Sequence, residues 1–164
     1  MLDSMRGKAR RVAAAACLAG AATAALVVST PASAGDRGAC PGSLIESINA
    51  TWLGKKYGEL DVYYDAATGR NCAKMNHAGS AWGKRTWTGV QVTICAQKRP
   101  GNGCRPIAAG TAGSVQENGN YRYYAGPVSP TASGRGHCIS ASGTVYLPGE
   151  GFGVGVATGP SHCG

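Results

Sequence analysis

The sequence predicts an all-β protein, a small disulfide-stapled antiparallel β-sandwich or barrel. Apolar and polar residues alternate in several short segments, which is typical of strands with one buried face. Turn signals rich in Gly and Asn separate these segments. Six cysteines remain after an N-terminal leader is removed, and an even number in a secreted chain indicates three disulfides: Cys40, Cys72, Cys95, Cys104, Cys138 and Cys163.

Residues 1–34 have the pattern of a secretory signal peptide. A basic start precedes the Ala-rich apolar residues 12–28, and the small residues of PASAG follow. The apolar stretch is shorter than the roughly 20 residues that span a bilayer. We therefore expect cleavage after Ala34 and no transmembrane segment in the mature protein. Arg10 and Arg11 also fit a twin-arginine signal, so the export route stays open.

Residues 35–164 are predicted to form a single disulfide-stabilised β domain. This part contains 12 Lys and Arg against 7 Asp and Glu, a formal charge of +5 that is scattered along the chain. Such a distribution favours loose contact with anionic envelope polymers and argues against a specific nucleic-acid partner. Aliphatic residues are few, so we expect the three tryptophans and seven tyrosines to supplement the core.

Three segments in the first half of the domain are predicted to be strands. LIESINAT, residues 44–51, fits a strand or a short capped helix, and we favour the strand. GELDVYYD, residues 58–65, alternates in the pattern of a half-buried strand. AATGR then turns the chain and RNCAKMN returns it, which predicts a hairpin.

WTGVQVTICAQ predicts a further strand that ends at a disulfide-closed loop. Val90, Val92 and Ile94 lie on one face of this strand. QKRPGNG supplies turn residues between Cys95 and Cys104, so this pair is the preferred bridge. The other four cysteines leave three pairings open.

ENGN, residues 117–120, predicts a tight hairpin turn, because Asn and Gly tolerate positive φ. The strand after it would place Tyr121 and Tyr123 on one face and Arg122 and Tyr124 on the other. Near the C-terminus, FGVGV predicts a strand whose glycines mark the close approach of another backbone or ring.

YYDAATGRNCA, a Val-rich strand, NGNYRYYAGPV and GHCI together resemble the small secreted proteins of actinomycetes related to spore-associated protein A. The resemblance covers residues 40–139. It implies an extracytoplasmic protein found with spores or hyphal surfaces, without an established catalytic activity. The loop between Cys95 and Cys104 and the Gly-rich residues 143–164 depart from this pattern, so the resemblance does not assign the relatives' partner to this chain.

The sequence contains no recognisable catalytic or metal-binding motif. GxSxG is missing, and nothing links His77, His137 or His162 to a serine nucleophile. The acidic residues form no pair typical of glycosidases. His137 and His162 each precede a cysteine, but zinc-type spacing is missing and adjacent strand residues point to opposite faces. We expect a non-enzymatic protein without a cofactor or metal.

The leading functional hypothesis is a secreted structural or surface protein associated with spores or the cell envelope. The alternative is an extracellular module that binds a polymer or a protein, including a protease inhibitor that uses the loop of residues 96–103. A hydrolase of unrecognised type is a third hypothesis. The candidate binding surface consists of Trp52, Trp82, Trp87, Arg122 and Tyr124. The partner and the oligomeric state stay open.

Overall fold

The computed structural model describes residues 38–164. The predicted signal peptide, its arginine pair and its cleavage site lie outside the described residues. Within residues 38–164 the regular elements are eight strands and two short 3-10 turns. The strands form two antiparallel four-stranded sheets, which confirms the all-β class and is consistent with a sandwich. No helix in this range has the length and hydrophobicity of a membrane span.

Sheet A has the strand order β1-β2-β3-β6, and sheet B has the order β5-β4-β7-β8. The 3-10 turns are Gly79–Ala81 and Gly110–Ala112. The chain moves from sheet A to sheet B after β3, returns to sheet A for β6, and ends in sheet B. The strands are β1 (Ser43–Trp52), β2 (Lys55–Asp65), β3 (Arg70–His77), β4 (Thr86–Ile94), β5 (Ser114–Tyr121), β6 (Tyr124–Val128), β7 (Ile139–Tyr146) and β8 (Gly153–Ala157).

Alternation places one core between the two sheets. Leu60 and Val62 of β2 are fully buried, and Val92 and Ile94 of β4 lie in the same cluster. The helix alternative for residues 44–51 is wrong, because β1 pairs along its length with β2. The β2–β3 hairpin and the strand over residues 86–94 form where the pattern predicts them.

The expectation that aromatic side chains supplement this core holds only for two tyrosines, because the three tryptophans are exposed. None of the described Trp, Tyr or Phe side chains is fully buried. The largest fully buried side chains are Leu60, Met75, Ile94 and Ile139. Tyr57 and Tyr121 only pack against the edge of the cluster. The exposed rings are therefore available for contacts outside the core.

Residues 117–120 do not form the predicted turn. Asn118 and Gly119 lie inside β5 and pair with Gly89 and Thr88 of β4. Gly119 has no positive φ, and its missing side chain leaves room for Tyr121, whose Oη would lie 3.1 Å from an added Cβ. Gly119 therefore makes room for the Tyr121 ring within a strand and does not form a turn.

The chain turns instead at Arg122 and Tyr123, where it crosses from sheet B to sheet A. The predicted register of the tyrosine segment is consequently wrong. Tyr121 is half-buried against the core, whereas Tyr123 is exposed. Tyr124 belongs to the other sheet, where it pairs with Asn76.

Three disulfides lie at one end of the two sheets. Cys95 bonds Cys104, as the loop spacing predicts. The other bridges are Cys40–Cys72 and Cys138–Cys163, one of the three pairings that the sequence leaves open. Cys95 follows the last residue of β4, and Cys138 precedes the first residue of β7. We call this the disulfide end.

Candidate functional site

The opposite end of the sheets collects the exposed aromatic side chains. Four connections meet there: the β1–β2 turn at residues 53–54, residues 78–85 between β3 and β4, residues 122–123 between β5 and β6, and residues 147–152 between β7 and β8. The antiparallel pairing of all these strands brings the four connections to the same end. We call it the aromatic end. It carries every exposed aromatic side chain of the described residues: Trp52, Trp82, Trp87, Tyr123, Tyr146 and Phe152.

These six rings form three pairs. Trp52 and Phe152 pack edge to face, with ring centroids 5.3 Å apart. Trp87 and Tyr146 pack in the same way at 5.2 Å, from the neighbouring strands β4 and β7. The third pair is Trp82 with Tyr123, at 5.0 Å. Edge-to-face pairing fixes the rings without removing them from solvent.

Backbone hydrogen bonds hold the third pair in place. The N–H of His77 donates to the Tyr123 carbonyl at 2.7 Å, and the N–H of Gly83 donates to the Arg122 carbonyl at 2.9 Å. These bonds tie residues 78–85 to the crossover at residues 122–123. Trp82 and Tyr123 are therefore presented by a connected backbone rather than by independent loops.

A cleft of about 240 Å³ opens beside Trp52. Its walls come from the β1–β2 turn, the 3-10 turn Gly79–Ala81 and the β7–β8 connection. Five of the eight lining residues are apolar, and the polar groups come from Ser80, Glu150 and the Tyr57 hydroxyl. The full lining is Trp52, Leu53, Tyr57, Ser80, Leu147, Pro148, Glu150 and Phe152.

The β1–β2 turn projects an aliphatic side chain at this end. Trp52 pairs with Lys55, so Leu53 and Gly54 are the two central residues of the turn. Both have positive φ, 48° and 74°. Leu53 is 84% exposed, the highest value among the large hydrophobic residues of the described chain.

Basic side chains surround the aromatic rings. Five exposed cations lie at or next to the four connections: Lys55, Lys56, Lys84, Arg85 and Arg122. The carboxylates of the region are Glu59, which pairs with Lys56, and Glu150 at the cleft. Cations therefore outnumber carboxylates here, and the aromatic end is a positively charged surface.

Four of the five predicted binding residues lie at the aromatic end. Trp52, Trp82 and Trp87 are members of the three ring pairs, and Arg122 occupies the crossover turn. Tyr124 lies apart from them, because its ring packs near Gly38 and the Lys74 ammonium sits 4.7 Å from its centroid. The cation over the Tyr124 ring is thus Lys74.

Leu53 and Phe152 were missed as surface residues. The pattern FGVGV predicts Phe152 in line with two core valines, yet β8 begins only at Gly153. The close approach that the glycines predict is present, since a Cβ on Gly153 would lie 2.8 Å from the Tyr146 ring. The exposure of Leu53 follows from the conformation of the turn at Leu53 and Gly54, which the sequence pattern around it does not specify.

The three histidines lie in different surroundings. His77 is buried at the end of β3, with Nδ1 3.1 Å from the Ala81 carbonyl and Nε2 2.6 Å from the Thr88 hydroxyl. Burial lowers the pKa of His77, although its backbone hydrogen bonds oppose the shift. His162 contacts the Glu46 carboxylate at 2.6 Å, and His137 Nδ1 is buried without a hydrogen-bond partner among the described residues.

Within residues 38–164, no group of three or more His, Cys, Asp or Glu side chains is placed to hold a metal ion. All six cysteines in this range are in disulfides and have no thiol to offer. The aromatic end itself offers large apolar faces, an exposed aliphatic tip and surrounding positive charge.

The loop between Cys95 and Cys104 is a separate exposed feature at the disulfide end. The Gln97 amide donates to the Gly103 carbonyl at 2.8 Å, and the Gln97 carbonyl accepts from the N–H of Cys138 at 2.9 Å. Lys98 and Arg99 are exposed at its tip. The base of the loop is held by hydrogen bonds and a disulfide, while the basic tip faces solvent.

Comparison of the chain with family models, with curated proteins and with solved structures found no match. The resemblance to proteins related to spore-associated protein A stays a prediction.

Proposed function

We propose that this is a secreted, non-enzymatic protein that is retained on the surface of a cell or spore, and that the aromatic end makes the attachment. One observation carries the proposal: every exposed ring of the described residues lies at the end opposite the three disulfides. Disulfides persist in oxidising compartments, which supports the extracellular part of the proposal.

The segregation of the rings favours an interaction surface over a purely structural role for them. Contiguous exposed apolar patches on a folded protein generally mark interaction sites. Here the exposed rings lie outside a core built mainly of aliphatic side chains. Cations surround the patch and attract anionic partners, which are abundant on microbial envelopes. The resemblance to spore-associated proteins points to the same location.

The test is retention of the full secreted chain on cells and spores. We expect most of the wild-type protein to stay on the cells or spores when the culture medium is washed away. A Trp52→Ala, Trp82→Ala double variant should shift most of the protein into the medium, because it removes two large, half-exposed apolar rings from the contact surface. Leu44→Ala, at an exposed position of the disulfide end, is the matched control. Equal retention of the double variant and the control would refute the proposal.

The braced loop at residues 96–103 supports a second candidate function, inhibition of a protease that cleaves after Lys or Arg. A preorganised loop loses less conformational freedom on binding than a flexible one, and Lys98 and Arg99 would meet an acidic specificity pocket. Titration of trypsin with the folded protein tests this. Stoichiometric inhibition that Lys98→Ala with Arg99→Ala abolishes would support it, and ordinary cleavage of the loop would reject it.

A further inference from the structure

We infer that the aromatic end docks on an anionic lipid bilayer, with Leu53 and its neighbouring rings entering the interfacial layer and the basic side chains contacting lipid phosphates. This inference rests on the proposed function, because it takes the aromatic end as the attachment surface. It adds the chemical class of the partner.

The first argument comes from the conformation of the β1–β2 turn. A two-residue hairpin turn with positive φ at both central residues favours Asn-Gly, because Asn tolerates the left-handed region better than other residues that carry a Cβ. This chain has Leu53-Gly54 in that place, with φ of 48° and 74°. A leucine at this turn position therefore has an unfavourable backbone conformation. Because its side chain is 84% exposed, it also contributes little to the core.

A residue that weakens the turn without helping the core indicates a function outside the fold. The side chain is a branched aliphatic group with no hydrogen-bonding atoms. Its natural environment is apolar, and a lipid bilayer supplies such an environment to a protruding tip. The rings of Trp52 and Phe152, packed against each other beside this tip, widen the apolar surface.

The second argument comes from the type of ring. Trp and Tyr are enriched at membrane–water interfaces, since each has an apolar body and a polar edge. Five of the six exposed rings of this end are Trp or Tyr. They occur at the end of β1, on the β3–β4 connection, on β4, on the β5–β6 crossover and on β7, so they form a broad surface rather than a single pocket.

The third argument comes from charge. Lys55, Lys84, Arg85 and Arg122 are exposed around the rings. Their long apolar stems can lie along the hydrocarbon boundary while the charged groups stay at phosphate level. Basic residues next to an anionic leaflet add to the attraction that apolar insertion supplies. The pattern of an aliphatic tip, interfacial rings and a cationic border therefore fits an anionic lipid surface.

A neutral glycan fits these features less well. Sugar rings stack on flat aromatic faces and require directional polar partners for their hydroxyl groups. The tip residue Leu53 offers neither, and the cleft beside it has few polar side chains: Ser80, Glu150 and the hydroxyl-bearing Tyr57. Binding to a wall glycan without lipid binding is therefore a distinct outcome of the experiment.

The experiment uses the intrinsic fluorescence of the protein. All three tryptophans of the chain lie at the aromatic end, so their emission reports contact with this surface. Vesicles of phosphatidylcholine and phosphatidylglycerol at 3:1 should bind the protein, shift its emission to the blue, and quench it when the acyl chains are brominated. Vesicles of phosphatidylcholine alone should bind at least about tenfold more weakly, because they lack the electrostatic attraction.

Leu53→Asn is the decisive variant, because the favoured Asn-Gly turn keeps the fold intact. We expect an unchanged or higher melting temperature and an affinity for anionic vesicles about tenfold lower, as loss of a buried leucine side chain predicts. Leu44→Asn is the matched control: its side chain is 52% exposed at the disulfide end, and its vesicle affinity should equal that of the wild type.

The outcomes separate the inference from the proposed function. Retention on purified walls or spores without binding to anionic vesicles overturns the lipid inference and leaves the attachment proposal standing. Failure to bind walls, spores and vesicles overturns both. Vesicle binding without acyl-chain quenching, or with equal affinity in Leu53→Asn, also overturns the inference, since charge alone would then account for the adsorption.

Discussion

At the scale of single residues, Tyr121 and Tyr123 show how two neighbouring rings take opposite roles. Tyr121 packs against the core at the end of β5, and Tyr123 lies exposed in the crossover against Trp82. We expect Tyr121→Ala to lower the free energy of unfolding by about 2 to 3 kcal/mol, somewhat less than for a fully buried ring. Tyr123→Ala should cost less than about 1 kcal/mol. Urea denaturation of both variants measures the difference.

Arg122→Ala provides the control for this pair, because the side chain between the two rings is exposed. Its effect should match that of an ordinary surface substitution, within about 0.5 kcal/mol. Similar small costs at all three positions would show that Tyr121 does not contribute to the core.

His77 predicts how stability depends on pH. Burial holds its folded-state pKa below the ordinary value of 6.5, so the unfolded chain takes up a proton first as the pH falls. The contribution of His77 to stability is therefore complete above about pH 6.5 and decreases as the pH is lowered through that value. Urea denaturation between pH 7.5 and 5.0 should show this decrease.

The comparison for His77 is the variant His77→Gln, which removes the titrating group. Its stability should change less over the same pH range than that of the wild type. Identical slopes for the two proteins would show that another group causes the pH dependence.

At the scale of elements, contact between the two sheets depends on glycine. Met75 of β3 reaches toward β7 of the other sheet, where a Cβ on Gly143 would lie 2.6 Å from the methionine sulfur. Gly143→Ala should therefore destabilise the protein by about 1 to 3 kcal/mol through overpacking. Gly159→Ala is the control, since no atom lies within 4 Å of a Cβ there.

A double-mutant cycle tests whether Met75 is the cause. Met75→Ala alone should cost about 2 to 5 kcal/mol by leaving a cavity. In the double variant the added methyl group at residue 143 enters the vacated space, so the combined cost should be smaller than the sum of the two. Additive costs would place the strain of Gly143→Ala elsewhere.

The elements that the sequence predicts are those whose signal is local. The β2–β3 hairpin and β4 follow from strict alternation beside clear turn residues. β7 was not identified, although Ile139, Ala141 and Val145 alternate with polar residues and are buried. Its glycine and serines weaken the hydrophobic signal, and the strand is defined by its pairing with β4 and β8 and by the burial of its apolar face.

The error at residues 117–120 has a tertiary cause. Asn-Gly favours a turn in isolation, but here the pair is hydrogen-bonded to β4 and its glycine accommodates the Tyr121 ring. Tertiary structure also explains why the sequence predicts only part of the candidate site. Trp52, Trp82 and Trp87 are recognisable as large rings, whereas the exposure of Leu53 depends on a turn conformation that a local pattern does not specify.

At the scale of the whole molecule, the two ends of the sheets are built differently. Covalent bonds hold the strand termini at one end, and exposed rings and cations occupy the loops of the other. The core between them is built mainly from aliphatic side chains, with Met75 and the partly buried Tyr57 and Tyr121. The loops of the aromatic end are therefore free of cross-links, while the disulfides restrain the sheets from the other end.

The three disulfides close loops that do not overlap in sequence, with separations of 32, 9 and 25 residues. In the chain-entropy account each closure stabilises the folded state by about 3 to 4 kcal/mol, with the smallest value for the shortest loop. Because the loops are disjoint, their effects on the unfolded chain should add, to about 10 kcal/mol. The net stability of a domain is commonly about 5 to 15 kcal/mol.

Reduction of all three bridges is therefore expected to remove most or all of the stability of the protein. When the reduced and alkylated chain is heated, circular dichroism should show no cooperative thermal transition. Thiol titration of the denatured, non-reduced secreted protein should find no free thiol, which verifies the starting state. Removal of the single pair Cys95→Ala and Cys104→Ala should leave a folded protein, because its loop is the shortest. A reduced chain that still melts cooperatively within a few degrees of the oxidised protein would show that the small aliphatic core is sufficient without the bridges.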